Sequence, residues 1–269
     1  MPSSSVSSTP ESGRASWRER LVALACFAIA AVVATWPLAR HPRALLGAPL
    51  GAGDPFLNLF TLGWDLQKLL AAPSSWVNGA VFDAPIFHPA RQTLAFTDHL
   101  LVQAALVSPV YAIWRDPVLC YNVVLVASLV ASAWAMWWYL RQVLDDAIGP
   151  LVGGLVWGFC AYRFSHIVHL QLQALYFLPL AFGALHRVVA KRRWQDGAWL
   201  GLWFGLTALG SVYYAVVGLV ALGIGGFALV ATAGRVSLGR LLGPFALGTI
   251  VSTALVAPIL VPYMQVQQR

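Results

Sequence analysis

Three short stretches carry the side chains best suited to chemistry. In Gly51-Ala52-Gly53-Asp54-Pro55, glycines loosen a turn that delivers a carboxylate just before a helical pattern. A carboxylate so placed can take a proton from a hydroxyl or bind a cation, and it can equally serve as a plain helix N-cap. Thr97-Asp98-His99 sets an acid beside an imidazole, a pair able to orient a proton transfer or hold an anionic group; a cap is again the plain alternative. The third stretch runs from Ala161 to His169 and holds Arg163, His166 and His169. The two histidines lie three apart and share a face of a helical turn, next to a guanidinium suited to bidentate phosphate binding. No third ligand stands at zinc spacing, so phosphate ranks above a structural metal, with a divalent ion left open.

The elements that must position these groups are apolar. Hydrophobic residues make up 59% of the 269 and charged residues 10%, against about 25% charged in soluble domains. The expected fold is therefore all-α, a polytopic transmembrane helical bundle. Apolar runs cover Leu21 to Leu38, Val118 to Leu140, Leu151 to Tyr162, Leu172 to Leu185, Ala198 to Ala233 and Leu241 to Tyr263. The run from Ala198 to Ala233 is long enough for a helical hairpin and bends near Gly210-Ser211-Val212-Tyr213-Tyr214, which gives about seven spans in all. Residues 1–20 read as a disordered cytoplasmic tail and 21–269 as the membrane domain, and the chain reads as a piece of a longer protein.

The segment from Leu100 to Trp114 is apolar but short and contains Gln103 and Pro109. Counting it as a span would put Lys191-Arg192-Arg193, Arg235 and Arg240 outside, so the positive-inside tendency makes it a helix at the membrane surface. The first outer loop then runs from about Arg40 to Pro117. Phe56, Leu57, Leu59, Phe60, Trp64, Leu69 and Leu70 make a second surface helix in it, with Pro55 in its first turn. Five of the eight aspartates fall in this loop, and five of the six histidines lie on the outer side. Tyr121, Asn122, Gln171 and Gln173 are polar groups at the membrane edges, available to the same cleft or to helix-to-helix hydrogen bonds. Cys26, Cys120 and Cys160 all lie in apolar runs and form no disulfide framework. The net charge of +7 sits mainly at span ends, which excludes nucleic acid as a partner and makes membrane lipids the expected surroundings.

The order of motifs carries a resemblance. Gly53-Asp54-Pro55-Phe56-Leu57-Asn58 is followed by Phe96-Thr97-Asp98-His99, then Asp116-Pro117-Val118-Leu119-Cys120-Tyr121-Asn122. Gly154-Leu155-Val156-Trp157-Gly158-Phe159, Tyr162-Arg163, His166 to His169 and Leu178-Pro179-Leu180 come after. This succession resembles the amino-terminal half of bacterial polytopic proteins related to the C-type (GT-C) glycosyltransferases, over roughly Gly51 to Leu185. The resemblance implies a long first outer loop with surface helices and transfer of a sugar from a polyprenyl-phosphate donor to an acceptor outside the bacterial plasma membrane. It implies Asp54 as catalytic base or metal partner, and Asp98 where a second carboxylate is needed. His99, Arg163, His166 and His169 then hold the substrate. Where that family often pairs the first acid, this chain has Pro55, and its second outer loop offers Arg163, His166 and His169 in place of an acid.

Two other classes fit the composition. A transporter or lipid-handling protein would carry ionisable residues inside its spans, which are scarce here. A non-catalytic assembly partner would keep the layout and lack the chemistry.

Overall fold

A computed structural model describes residues 15–47, 53–232 and 237–268. Among them every regular element is helical. The first helix, α1 (Trp17–Ala34), opens on a reciprocal cap: the Glu19 amide donates to Ser16 Oγ and the Ser16 amide to the Glu19 carboxylate, at 3.2 and 2.8 Å. The helix thus starts inside the stretch expected as a tail to residue 20; residues 1–14 of that tail lie outside the described residues.

The outer-loop sequence folds into α2 (Asp54–Ala71), the short α3 (Ser74–Val77), two 3-10 turns at Ala80–Phe82 and Thr93–Phe96, and α4 (Leu101–Trp114). The glycine turn expected before Asp54 falls partly on residues 51 and 52, outside the described residues. Helix α2 turns Asn58, Thr61, Leu62, Asp65 and Leu66 inward and leaves Phe56 53% exposed. Phe60 and Leu70 stay exposed beside it, so the helix carries apolar side chains on both its inner and its outer face. Val81, Phe82, Leu94 and Leu101 form a separate small core, closed by Tyr263 and Val266 from the last helix.

The remaining elements are α5 (Pro117–Leu140), α6 (Ile148–Phe159), the single-turn α7 (Ala161–Ser165), α8 (Phe177–Lys191), α9 (Trp194–Gly210), α10 (Val212–Thr232) and α11 (Gly239–Gln267). Asp116 caps α5 by accepting the Leu119 amide at 3.0 Å, with Pro117 at the first helical position. Helices α5, α10 and α11 are long and apolar enough to cross a membrane. Helices α6, α8 and α9, at 12, 15 and 17 residues, are short for one crossing, and α1 carries Arg18, Glu19 and Arg20 in its first turn. The run from Leu151 breaks at Cys160, and the run from Leu172 begins in a 3-10 turn before α8 starts at Phe177. At 14 residues, α4 is too short to cross alone.

Small residues set the closest crossings. A side chain at Gly154 would strike the Ala133 carbonyl of α5, and one at Gly197 or Gly201 would strike the backbone of Pro244 or Gly248. Helices α9 and α11 therefore run parallel in near backbone contact, the packing that small residues permit between apolar helices. Apolar side chains such as Ile29, Val216 and Phe227 stay exposed around the bundle, at 66%, 65% and 78%.

The bundle has two unlike ends. Arg141 meets Glu19 at 3.6 Å, and Arg187 bonds both Asp196 and Gln142, so the start of α1, the ends of α5 and α8 and the start of α9 share a basic end. Helices α2 and α4, α7 and the Ser211 break between α9 and α10 gather at the other.

Candidate functional site

A cavity of about 970 Å³ opens at this second end. Asp54, Asp98, His166 and His169 all line it, together with Gln171 and Tyr263. Chain segments far apart in sequence thus deliver four of the six nominated side chains to one space.

Asp54 stands in the first turn of α2 and does not cap it; the cap position is Gly53. Its carboxylate is half exposed and lies 3.6 Å from His169 Nδ1. Asp98 does not cap α4 either, since the Leu100 amide goes to Asp65 instead, at 3.2 Å. The Asp98 carboxylate accepts hydrogen bonds from the Val212 amide, which opens α10, and from the Gln171 side chain, with His169 close by. Burial raises its pKa above the ordinary aspartate value, and those hydrogen bonds and His169 oppose the rise. His169 thereby sits between two carboxylates.

His166 packs on the Tyr162 ring at 4.3 Å between centroids and on His169 at 6.1 Å. Its Nδ1 lies 3.0 Å from the Tyr162 carbonyl and 2.9 Å from Ser165 Oγ. The Tyr214 hydroxyl donates to the Leu172 carbonyl at 2.7 Å and reaches Tyr162 Oη at 3.5 Å. Tyr263 ties α11 to the site by donating to the Thr97 carbonyl at 2.9 Å.

The structure places two nominated residues elsewhere. Arg163 is fully buried behind the cavity wall, where its Nη1 donates to Ser132 of α5 at 3.2 Å. The reason is helical phase: Tyr162 and His166 are four apart and share the cavity side of the turn, which points Arg163 inward. Its Nε and other terminal nitrogen have no partner among the described residues, and burial pulls its pKa down to about 10. His99 is also buried, with its ring edge-to-face against Phe82 and Tyr263 at 6.1 Å from each. Extended backbone at Thr97 and a turn at Leu100 send the neighbouring Asp98 and His99 side chains in opposite directions. Desolvation lowers the His99 pKa to about 4 and keeps the ring neutral.

Gln171 joins the cavity, but Gln173 is buried and binds the carbonyls of Arg163 and His166. Asn122 holds the chain before α2, accepting from Gly47 and donating to Pro42 and Leu45. Tyr121 is buried beside it in sequence and stays out of the cavity. All three cysteines are free. The sequence reading gave no site role to Tyr162, Tyr214, Tyr263 or the fully buried Asp65. Only the Tyr213-Tyr214 pair after a helix-breaking Gly-Ser carried a signal, and that signal was for a bend. No group of three His, Cys, Asp or Glu side chains that could hold a metal ion occurs among the described residues.

Comparison with protein families, curated proteins and solved structures finds no match for the chain. The fold itself defines the class: a helical protein with three candidate membrane-spanning helices, which points to a multi-pass membrane protein. Its distinguishing feature is a half-buried acid and histidine cavity at one end.

Proposed function

We propose that this chain is a membrane glycosyltransferase of about seven crossings that moves a sugar from a polyprenyl-phosphate donor to an acceptor at the outer face of the plasma membrane. The observation that carries the reading is the meeting of Asp54, Asp98, His166 and His169 in one cavity. The basic end is then cytoplasmic by the positive-inside tendency, and the cavity faces out. Helices α1, α6, α8 and α9, though short, run between the same two ends as α5, α10 and α11 and complete the count.

In this reading the acceptor hydroxyl gives its proton to Asp54 as its oxygen bonds the anomeric carbon, and the bond from that carbon to the phosphate oxygen breaks. The lipid phosphate leaves with the electron pair. His169, between its two carboxylates, holds the developing negative charge, and His166 offers Nε2 to a sugar hydroxyl. Asp98 fixes His169 from the far side. Tyr213, Val216 and Val217 line the cavity and are also exposed on α10, so a lipid tail has a lateral way in.

The test is sugar transfer into membrane acceptors by Asp54→Asn and by the pair His166→Ala with His169→Ala, each at wild-type membrane abundance. Each variant should lose roughly a hundredfold or more. Undiminished transfer in both would remove the proposed site.

A further inference from the structure

A second feature lies at the opposite end of the molecule. Helices α10 and α11 both pack on α9 and leave a gap between them, a groove of about 330 Å³. Its walls are apolar, with Leu200 and Phe204 from α9, Leu222 from α10 and Phe245 from α11. The Thr249 hydroxyl beside it is turned back onto the Phe245 carbonyl at 3.0 Å. The groove opens on the face where Leu219 is 62% exposed, which is a lipid-facing surface for a membrane helix.

Charge gathers directly beyond this groove. Gly197 meets Pro244 and Gly201 meets Gly248. The same sequence offset pairs Arg193 with Arg240, so the parallel helices bring these arginines to one level. Both are exposed, and neither is paired with a carboxylate among the described residues. Lys191 is exposed next to them, while the nearby Asp196 is taken by Arg187 at 2.8 Å. Trp194, 61% exposed, lies with its ring over Gly243, as an indole at the headgroup level does. Along the helices the arginines stand roughly 8 to 10 Å from the first groove residues. A glycerol backbone and its ester groups bridge such a distance.

We infer that this face is a binding site for an anionic glycerophospholipid, with its phosphate between Arg193 and Arg240 and one acyl chain in the groove. The charge demands an anion, the groove demands a hydrocarbon chain, and one molecule in a membrane supplies both. The site is independent of the proposed sugar transfer.

Native mass spectrometry of the purified chain, exchanged against phosphatidylglycerol or phosphatidylcholine vesicles, tests it. Wild type should retain phosphatidylglycerol preferentially. The double variant R193Q/R240Q should lose that preference, with retention falling by roughly an order of magnitude. Gly223→Leu puts a side chain into the groove from α10, where an added Cβ meets open space, and should also reduce retention. Equal retention of the two lipids would overturn the proposal. So would a full effect of soluble glycerophosphate as competitor, which would mean that the groove plays no part. Normal retention in Gly223→Leu, or appearance of a dimer that this variant abolishes, would overturn it as well.

Discussion

At the basic end most charged groups are answered or exposed. Arg187 holds Asp196 and Gln142, Arg141 faces Glu19, and Lys191, Arg193 and Arg240 are exposed, while Nε of Arg141 and of Arg192 is buried without a partner among the described residues. At the cavity end they are left in tension. Asp65 is buried with one carboxylate oxygen unpartnered among the described residues, Arg163 is buried with two nitrogens in that state, and burial raises the pKa of Asp98. A fold selected only to cross a membrane would resolve both ends the first way, because uncompensated buried polarity costs several kcal/mol in general. Polar strain that is concentrated at one end, in a buried acid and a whole buried guanidinium, marks the place where something other than stability is served.

Arg163 gives the largest break in that comparison. It touches no cavity surface, yet its carbonyl is held by Gln173 and its Nη1 by Ser132, so it positions the turn that carries His166 and His169. Arg163→Met keeps the bulk and removes the buried charge, a change that is often neutral or stabilising by about 1–4 kcal/mol for such groups. The expected result is an unchanged or raised unfolding temperature in detergent with sugar transfer down by about tenfold or more. Arg163→Lys should recover only part of the activity. Lower stability together with full activity would make Arg163 a structural residue and erase the contrast between the ends.

The sequence shows the ingredients of this site more clearly than their directions. Asp54 is legible because a proline fixes a helix start next to it, and the bend at Ser211 is legible because Gly and Ser interrupt a run too long for one crossing. Arg163 and His99 are not, since each is adjacent to a cavity residue and its direction depends on a single residue of helical or extended phase. The same limit applies to α2: the helix is legible, but not that Asn58, Thr61 and Asp65 turn in together with Leu62 and Leu66 while Phe56, Phe60 and Leu70 stay exposed. The helix bounds are not legible either, because hydrophobicity does not reveal the break at Cys160 or the 3-10 turn at Leu170–Gln173. The tyrosines around the cavity escape notice because an interfacial tyrosine and a binding tyrosine look alike in sequence.

His99 sharpens the comparison at intermediate size. Its folded pKa is about 4, below the 6.5 of a free imidazole. Between those values the unfolded chain takes up a proton that the folded one refuses, so stability is full above pH 6.5 and falls as pH drops toward 4. The loss reaches about 3 kcal/mol at the bottom of that window. Asp65, whose pKa burial raises, works with the opposite sign as its carboxyl protonates, so the His99 contribution is read by difference. Thermal unfolding in detergent at pH 7 and pH 4.5 should show a smaller drop in His99→Leu than in wild type. An equal drop would mean that the ring takes up its proton as readily in the fold as in the unfolded chain, and the buried cluster with Phe82 and Tyr263 would then be no part of the strained end.

The smallest effect belongs to the basic end, and its smallness is the point. Glu19 and Arg141 approach to 3.6 Å with side chains 41% and 15% exposed, a contact partly screened by water. Glu19 has a second use, since its carboxylate accepts the Ser16 amide in the cap of α1. Glu19→Gln keeps an acceptor for that amide and removes only the charge, so it separates ion pair from cap. It should cost less than about 0.5 kcal/mol in urea or thermal unfolding and leave transfer activity untouched. Glu19→Ala removes both roles and should cost more, by about the 1 kcal/mol usual for a lost cap. If instead the glutamine variant were as damaging as the alanine one, the charge itself would be needed. The basic end would then hold stored electrostatic strain comparable to that of the cavity end.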